Sequence, residues 1–171
     1  MMGKNHVFLA TGIYGGLLVI SGIPVEAPLL FVGKIVSVGI GALLPDIDSP
    51  NSSISRKLRP LSYPISEAVK HRGVTHSLLA CLVLLTLLLA GSLTQINSIW
   101  VSMLEALWIG YLSHIMGDWM TTEGVPLFWP YKKYFHSPLS FKTGGTTERL
   151  LGVVLRLGTF ALLFDLFILR T

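Results

Sequence analysis

The sequence predicts an all-α integral membrane protein, a bundle of about five transmembrane helices with two long cytoplasmic loops. Three observations carry that expectation. The 171 residues are 51% hydrophobic and 13% charged, with a mean hydropathy of +0.66, where a soluble domain would carry roughly 25% charged residues. Five apolar segments approach the ~17 to 25 residues that cross ~30 Å of hydrocarbon as a helix. Basic residues then divide unevenly between the two ends of those segments. No repeat, low-complexity tract or composition shift divides the chain, so residues 1–171 are read as a single membrane-embedded domain.

The first segment, Val7 to Ile23, follows Met1-Met2-Gly3-Lys4-Asn5-His6. It has the charge and apolar run of a signal peptide but no small-x-small cleavage site before Pro24, so it is read as a retained first span. The second, Leu29 to Leu44, is short and contains Lys34. The third, fourth and fifth run from Ser77 to Leu93, Ile99 to Gly117 and Leu150 to Leu169. Each must be a helix, because a lone strand would leave its backbone groups unsatisfied in lipid. Links between spans one and two and between three and four are brief, whereas Pro45 to His76 and Asp118 to Arg149 are each about thirty residues. The N-terminus and these two loops hold Lys4, Arg56, Lys57, Arg59, Lys70, Arg72, Lys132, Lys133, Lys142 and Arg149, against Arg170 alone at the opposite side. That asymmetry places the N-terminus and both loops in the cytoplasm.

In the first loop Ile54, Leu58, Leu61 and Ile65 recur at near-helical spacing beside Arg56, Lys57 and Arg59, the pattern of a segment lying on an anionic membrane surface. Pro60 and Pro64 argue against one continuous helix there. In the second, Gly124, Pro126, Pro130, Pro138 and Gly144-Gly145 enforce turns, while Trp119, Phe128, Trp129, Tyr131, Tyr134 and Phe135 suit the interface. Basic cytoplasmic loops account for the net charge of +4 and the pI near 9.4. Membrane lipid is therefore the expected partner, and no nucleic acid is expected. The single cysteine, Cys81, excludes an intramolecular disulfide.

Ionisable groups are costly in so apolar a chain, and a one-sided cluster of them needs a reason. His6, Asp46, His76, His114 and Asp118 all fall where apolar segments end at the cytoplasmic side, with Asp48 and His71 close by. In Gly110-Tyr111-Leu112-Ser113-His114-Ile115-Met116-Gly117-Asp118, His114 and Asp118 are four apart and share one helix face. Taken alone, that spacing reads as a helix-stabilising pair. The company it keeps favours coordination. Leu43-Leu44-Pro45-Asp46-Ile47-Asp48 ends the second span, and in an extended segment its two carboxylates would point the same way. Asp48 also fits a turn in which it caps backbone amides. In His71-Arg72-Gly73-Val74-Thr75-His76-Ser77, Gly73 breaks the backbone and Thr75 is the expected N-cap, which would set His76 in the first turn of span three. That helix start favours anions, and Arg72 adds a fork of donors suited to phosphate. Mixed histidine and carboxylate donors suit Zn²⁺ first, with Mn²⁺ or Fe²⁺ as alternatives. Six candidates, His6, Asp46, His71, His76, His114 and Asp118, exceed one tetrahedral site, so one or two divalent ions are expected, two sharing a bridging aspartate.

The stretches LLPDID (43–48), HRGVTHSLL (71–79), GYLSHIMGDWMTTEGVPLFWP (110–130) and TGGTTE (143–148) resemble the YdjM-type proteins, in order and over most of the chain. That bacterial family is described as LexA-binding, inner-membrane-associated metal-dependent hydrolases. The resemblance implies a multi-pass protein of the bacterial cytoplasmic (inner) membrane with His71, His76, His114 and Asp118 as motif positions, and it draws in Thr121, Glu123 and Glu148.

The leading expectation is a metal-dependent hydrolase that cleaves a phosphoester lipid or headgroup by metal-activated water, with Arg72 holding the ester and Asp48 or Glu123 relaying the proton. A small ion or solute transporter is a different class. Lys34, Glu105 and Asp165 lie within spans, where charges often mark ion paths, but their opposite signs fit a structural ion pair better. A metal-stabilised membrane scaffold is the third. The chain contains no HExxH for zincin proteolysis and no G-x-S-x-G elbow.

Overall fold

The computed structural model describes residues 1–22, 27–50, 52–57, 59–68, 73–94 and 97–169. Among these the chain is all-helical, without a strand beyond two isolated bridges, Thr121 with Phe141 and Val125 with Phe135. Seven α-helices form, α1 (Gly3–Ser21), α2 (Pro28–Gly41), α3 (Ser53–Lys57), α4 (Arg59–Ala68), α5 (Leu78–Leu93), α6 (Ser98–Trp119) and α7 (Thr146–Phe164). Two 3₁₀ turns, Leu44–Asp48 and Val74–His76, follow α2 and precede α5, and a π turn, Asp165–Leu169, closes α7.

Helix α6 is the centre. It packs on α1, α2 and α5, while α7 lies against α1. The reason is written in its buried face, where Ala106, Gly110, Ser113, His114, Gly117 and Asp118 recur at helical spacing and are mostly small. Small residues let backbones approach. A Cβ on Gly41 of α2 would lie 2.0 Å from the Leu107 carbonyl oxygen, and one on Gly110 would lie 2.1 Å from that of Val38. The α2–α6 crossing therefore admits no side chain at either position. Ala10, Tyr14, Val38, Ala42 and Ala106 pack into one core beside it, and Cys81, Tyr111, Ile115 and Val125 into another between α5, α6 and the second loop.

Among the described residues, two helices are long and apolar enough to cross a membrane, Ser98–Trp119 and Thr146–Ile168. The other expected spans are shorter or more polar. Helices α2 and α5 have 14 and 16 residues, about 21 and 24 Å at 1.5 Å per residue, short of ~30 Å of hydrocarbon. The apolar runs look longer in sequence because Leu43, Leu44 and Ser77 belong to turns and caps rather than to helix. Outward faces of α5 and α7 are nonetheless apolar: Leu82, Leu87, Leu89, Val154, Leu157 and Phe160 are all exposed, far more than a water-facing surface tolerates. Of the charges expected to pair within spans, Lys34 and Asp165 each have a polar or electrostatic partner, while Glu105 is exposed on α6.

The first loop is helical on both sides of position 58, with Pro64 inside α4. Its part in the fold is more than lying on a surface. Buried Ser55 of α3 donates from Oγ to the carbonyls of Asp46 (3.2 Å) and Ile47 (3.0 Å), and Ser62 Oγ donates to the Ser55 carbonyl (2.9 Å). These bonds hold the aspartate turn from behind.

The crossing gives a test with opposite signs at two glycines. Gly110→Ala should lower thermal stability in detergent by about 3 kcal/mol, because backbone cannot yield as a side chain does. Gly16→Ala in α1, where a Cβ meets nothing within 4 Å, should instead be neutral or stabilise by about 0.5 kcal/mol through helix propensity. Equal effects at both sites would remove the close crossing.

Candidate metal centre

Helix direction alternates, so the start of α1, the end of α2, the start of α5 and the end of α6 meet at one end of the bundle. Each brings a donor. His6 lies in the first turn of α1, Asp46 in the 3₁₀ turn after α2, His76 in the 3₁₀ turn before α5, and His114 and Asp118 in the last two turns of α6. Four of the five side chains are 0–2% exposed, and Asp46 at 21% is the open edge.

Four nitrogen–oxygen distances define the centre. His76 Nε2 is 3.6 Å from Asp46 Oδ1 and 3.7 Å from Asp118 Oδ2, and His114 Nε2 is 3.7 and 3.6 Å from the same two oxygens. None is a hydrogen bond. A tetrahedral ion with ligands at ~2.0–2.1 Å sets its donor atoms about 3.4 Å apart. These four edges are thus slightly longer than a tetrahedral ion requires. Asp118 also reaches the other way, its Oδ1 lying 3.1 Å from His6 Nε2 and against the Met1 amine. Two donor groups result, His6 with His114 and Asp118, and Asp46 with His76 and His114. Asp118 presents one oxygen to each side, the arrangement of a bridging carboxylate.

The surroundings aim the rings. His114 Nδ1 lies 2.7 Å from the Ala42 carbonyl, so in the neutral ring the proton sits on Nδ1 and the Nε2 lone pair faces the carboxylates. His6 stacks on His114 with centroids 3.8 Å apart and planes at 8°. Buried His6 Nδ1 and His114 Nε2 make no hydrogen bond, a costly state for polar atoms that a bound cation at His114 would relieve. Behind His76, Thr75 Oγ1 donates to Asp48 Oδ2 at 2.5 Å, and that oxygen is 3.6 Å from His76 Nδ1. Burial alone would lower the His76 pKa, but the carboxylates of Asp46, Asp48 and Asp118 outweigh it and hold it at about 9. Asp46 is held below the usual carboxylate range: burial opposes this, and the nearby rings of His76, His114 and His6 prevail.

The structure brings His6, Asp46, His76, His114 and Asp118 together at one end of the bundle and places the other expected residues differently. Asp46 and Asp48 lie in a 3₁₀ turn rather than an extended segment, so they approach His76 from its two opposite nitrogens. Asp48, fully buried, is an orienting group behind His76 rather than one facing the donor atoms. Ser77, not Thr75, caps α5, accepting from the Ala80 amide at 3.4 Å, and His76 precedes the helix. His71 and Arg72 lie outside the described residues. Glu123 is exposed in the turn after α6 and belongs to neither donor group. Thr121 closes α6 by donating to the Asp118 carbonyl. Glu148 ties the start of α7 to α1, accepting from the Met2 amide (2.6 Å), Asn5 Nδ2 (3.0 Å) and the Gly144 amide (2.6 Å). The Ala42 carbonyl escaped sequence reading because only the fold brings it to His114.

In comparisons with known proteins, the family model described as YdjM inner membrane protein matches residues 1–169. The chain is 40% identical over 117 residues to "Inner membrane protein YdjM" of Escherichia coli (strain K12), and equally to that of Shigella flexneri, covering 66% of this chain and 58% of each relative. It is 32% identical over 167 residues to "Uncharacterized protein YvsG" of Bacillus subtilis (strain 168), covering 98% of this chain and 97% of that one. The chain thus spans somewhat over half the length of the two YdjM relatives. No solved structure matches it.

The raised His76 pKa gives a pH test. Below about pH 9 His76 carries a proton, which an ion must displace. Affinity for Zn²⁺ should therefore rise with pH, by up to about tenfold per unit between roughly pH 6 and 8, and level off above the His76 pKa. Competition against a chromophoric chelator measures this; a flat profile would show that His76 is not a ligand.

Proposed function

The chain belongs to the YdjM inner membrane protein family, and we propose that this member is a membrane-bound metal-dependent hydrolase that cleaves a phosphoester lipid or headgroup at the cytoplasmic face. One observation carries the reading: two histidine nitrogens and two carboxylate oxygens converge at 3.6–3.7 Å without a hydrogen bond among them, beside a second donor group that shares Asp118. Asp46, His76 and His114 would hold one ion with a position left for water, and Asp118, one oxygen toward each side, would bridge to a second beside His6. Zn²⁺ fits these donors, with Mn²⁺ or Fe²⁺ as alternatives. Bound there, a divalent ion lowers the pKa of water and polarises a phosphoryl oxygen.

The chain's own groups do the rest. The half-open Asp46 edge admits water and ester where the other donors are closed off. Thr75 Oγ1, 3.1 Å from His76 Nδ1 and itself bonded to Asp48, fixes His76, and the Ala42 carbonyl fixes His114, so neither ring turns as charge develops. Arg72, four residues before His76, supplies a planar fork for a phosphate. With Asp46 on the ion, the proton relay falls to Asp48 behind His76 or to exposed Glu123. A metal-stabilised scaffold is the second reading, favoured by the near-complete burial of four of the five donors.

Asp118→Asn should lose metal and phosphoesterase activity together, measured by elemental analysis and by lipid turnover in detergent, with activity down roughly 10²-fold or more. Arg72→Ala should keep its metal and lose turnover or substrate affinity. Stoichiometric metal with no cleavage of any phosphoester would leave the scaffold. For topology, a multi-pass arrangement with the N-terminus and both loops in the cytoplasm predicts that reporters fused near Lys57 or Lys133 read as cytoplasmic. A periplasmic reading at either would reverse the assignment of the face.

A further inference from the structure

Beside the centre lies a cavity of about 330 Å³, walled almost wholly by apolar groups from α5, α6 and the two 3₁₀ turns. Ile47, Val74, Leu79, Ala80, Val83 and Tyr111 are among its walls. We propose that this groove holds one acyl chain of an amphiphile whose anionic head meets the metal centre. The proposal rests on the hydrolase reading for the head and adds the substrate class.

Groove and centre share consecutive residues. Ile47 stands between Asp46 and Asp48, and Thr75, also in the wall, precedes His76 and donates to Asp48. Tyr111 spans the floor and donates from its hydroxyl to the Thr75 carbonyl, so the one polar group it carries is already satisfied. A ligand at that end of the groove therefore lies one residue along the chain from Asp46 and from His76. On the other side, Leu79 and Val83 are exposed on α5, alongside Leu82, Leu87 and Leu89. That is the face that hydrocarbon covers, and a chain can enter sideways from it.

The chemistry of the walls selects the occupant. Ordered water needs about 2 to 4 polar partners, which these walls do not offer. A sugar or nucleotide would leave its hydroxyls and amides unpaired. The volume is at the lower end of the ~300–1,000 Å³ of ligand pockets, small for a protein helix and suited to one flexible chain. At the centre, a divalent ion selects an anionic head. An anionic glycerophospholipid joins the two requirements.

Full-length protein loaded with Zn²⁺ in phosphatidylglycerol vesicles, doped with phosphatidylglycerol carrying a diazirine in one acyl chain, reads this directly. After irradiation, peptide mass spectrometry should place the adducts on Ile47, Leu79, Val83 and Tyr111 above the outward Leu82 and Leu89. Ala80→Trp should cut the groove adducts roughly tenfold, as losing the burial of about two methylenes would, while bound Zn²⁺ stays stoichiometric. If that variant loses its metal or its cooperative melt, Val83→Trp replaces it. Chelation should lower the groove adducts too, because the head loses its counter-charge. Even labelling along the outer face of α5, groove adducts unchanged in a folded variant, or groove adducts indifferent to chelation would each overturn the proposal. Groove labelling with no phosphoester cleaved removes the hydrolase and leaves the acyl site. Cleavage of a chain-free phosphodiester without groove adducts does the reverse.

Discussion

The contact of backbone on backbone where α2 crosses α6 governs the rest of the molecule. Gly41 and Gly110 leave no room for a Cβ between the helices, so their separation is set by main-chain atoms, which barely yield. Ala42 follows directly, and its carbonyl meets His114 Nδ1 one turn beyond Gly110. The same contact that packs the core therefore sets the tautomer and direction of a donor ring. Ala10, Val38 and Ala106 fill in beside it with small or β-branched side chains, and α1 can then lay His6 over Gly117. Packing and chemistry share one set of residues.

Burying two carboxylates and three histidines at one end of an apolar bundle is costly unless something compensates. Part of the compensation is visible. Asp48 takes the Thr75 hydroxyl, His114 takes the Ala42 carbonyl, and Ser55 supports the aspartate turn. What remains includes the inward Nε2 of His114 and the Nδ1 of His6 beside Gly117, which lack hydrogen bonds. At His114 the outer nitrogen is satisfied and the inner one is bare, the polarity of a coordination site. A structural salt-bridge network would satisfy both sides.

The donor set was legible in the sequence because it depends on two things a sequence displays. Apolar segments alternate in direction, so metal-favouring residues at alternate ends must gather, and the i, i+4 spacing of His114 and Asp118 needs no tertiary information. The limits of the spans were less legible. Hydropathy counts Leu43 and Leu44 as membrane residues, yet Pro45 and the aspartates turn the chain before them. The division of labour between Asp46 and Asp48 was hidden for the same reason, since an extended and a 3₁₀ backbone send residues two apart in different directions. Helix α3 as a buttress rested on a serine whose bonds reach eight and nine residues back, a contact no local pattern announces.

The shortness of α2 is a condition of the site rather than a departure from a regular bundle. Helix α2 crosses α6 at Gly110, eight residues before Asp118, which is about 12 Å along the helix. Because α2 ends there, the chain has those two turns of α6 alongside which to lay the Leu44–Asp48 turn, and Asp46 arrives level with His114 and Asp118. Another turn of α2 would carry Asp46 past them. Helix α5 obeys the same constraint from the opposite direction: it starts at Leu78, after His76 has already been placed by its own 3₁₀ turn. Long helices supply the frame and short ones stop early to leave a polar recess between their ends. That recess has exposed leucines of α5 on one flank and lies between loops that carry basic residues, surroundings that suit both a charged head and an apolar chain.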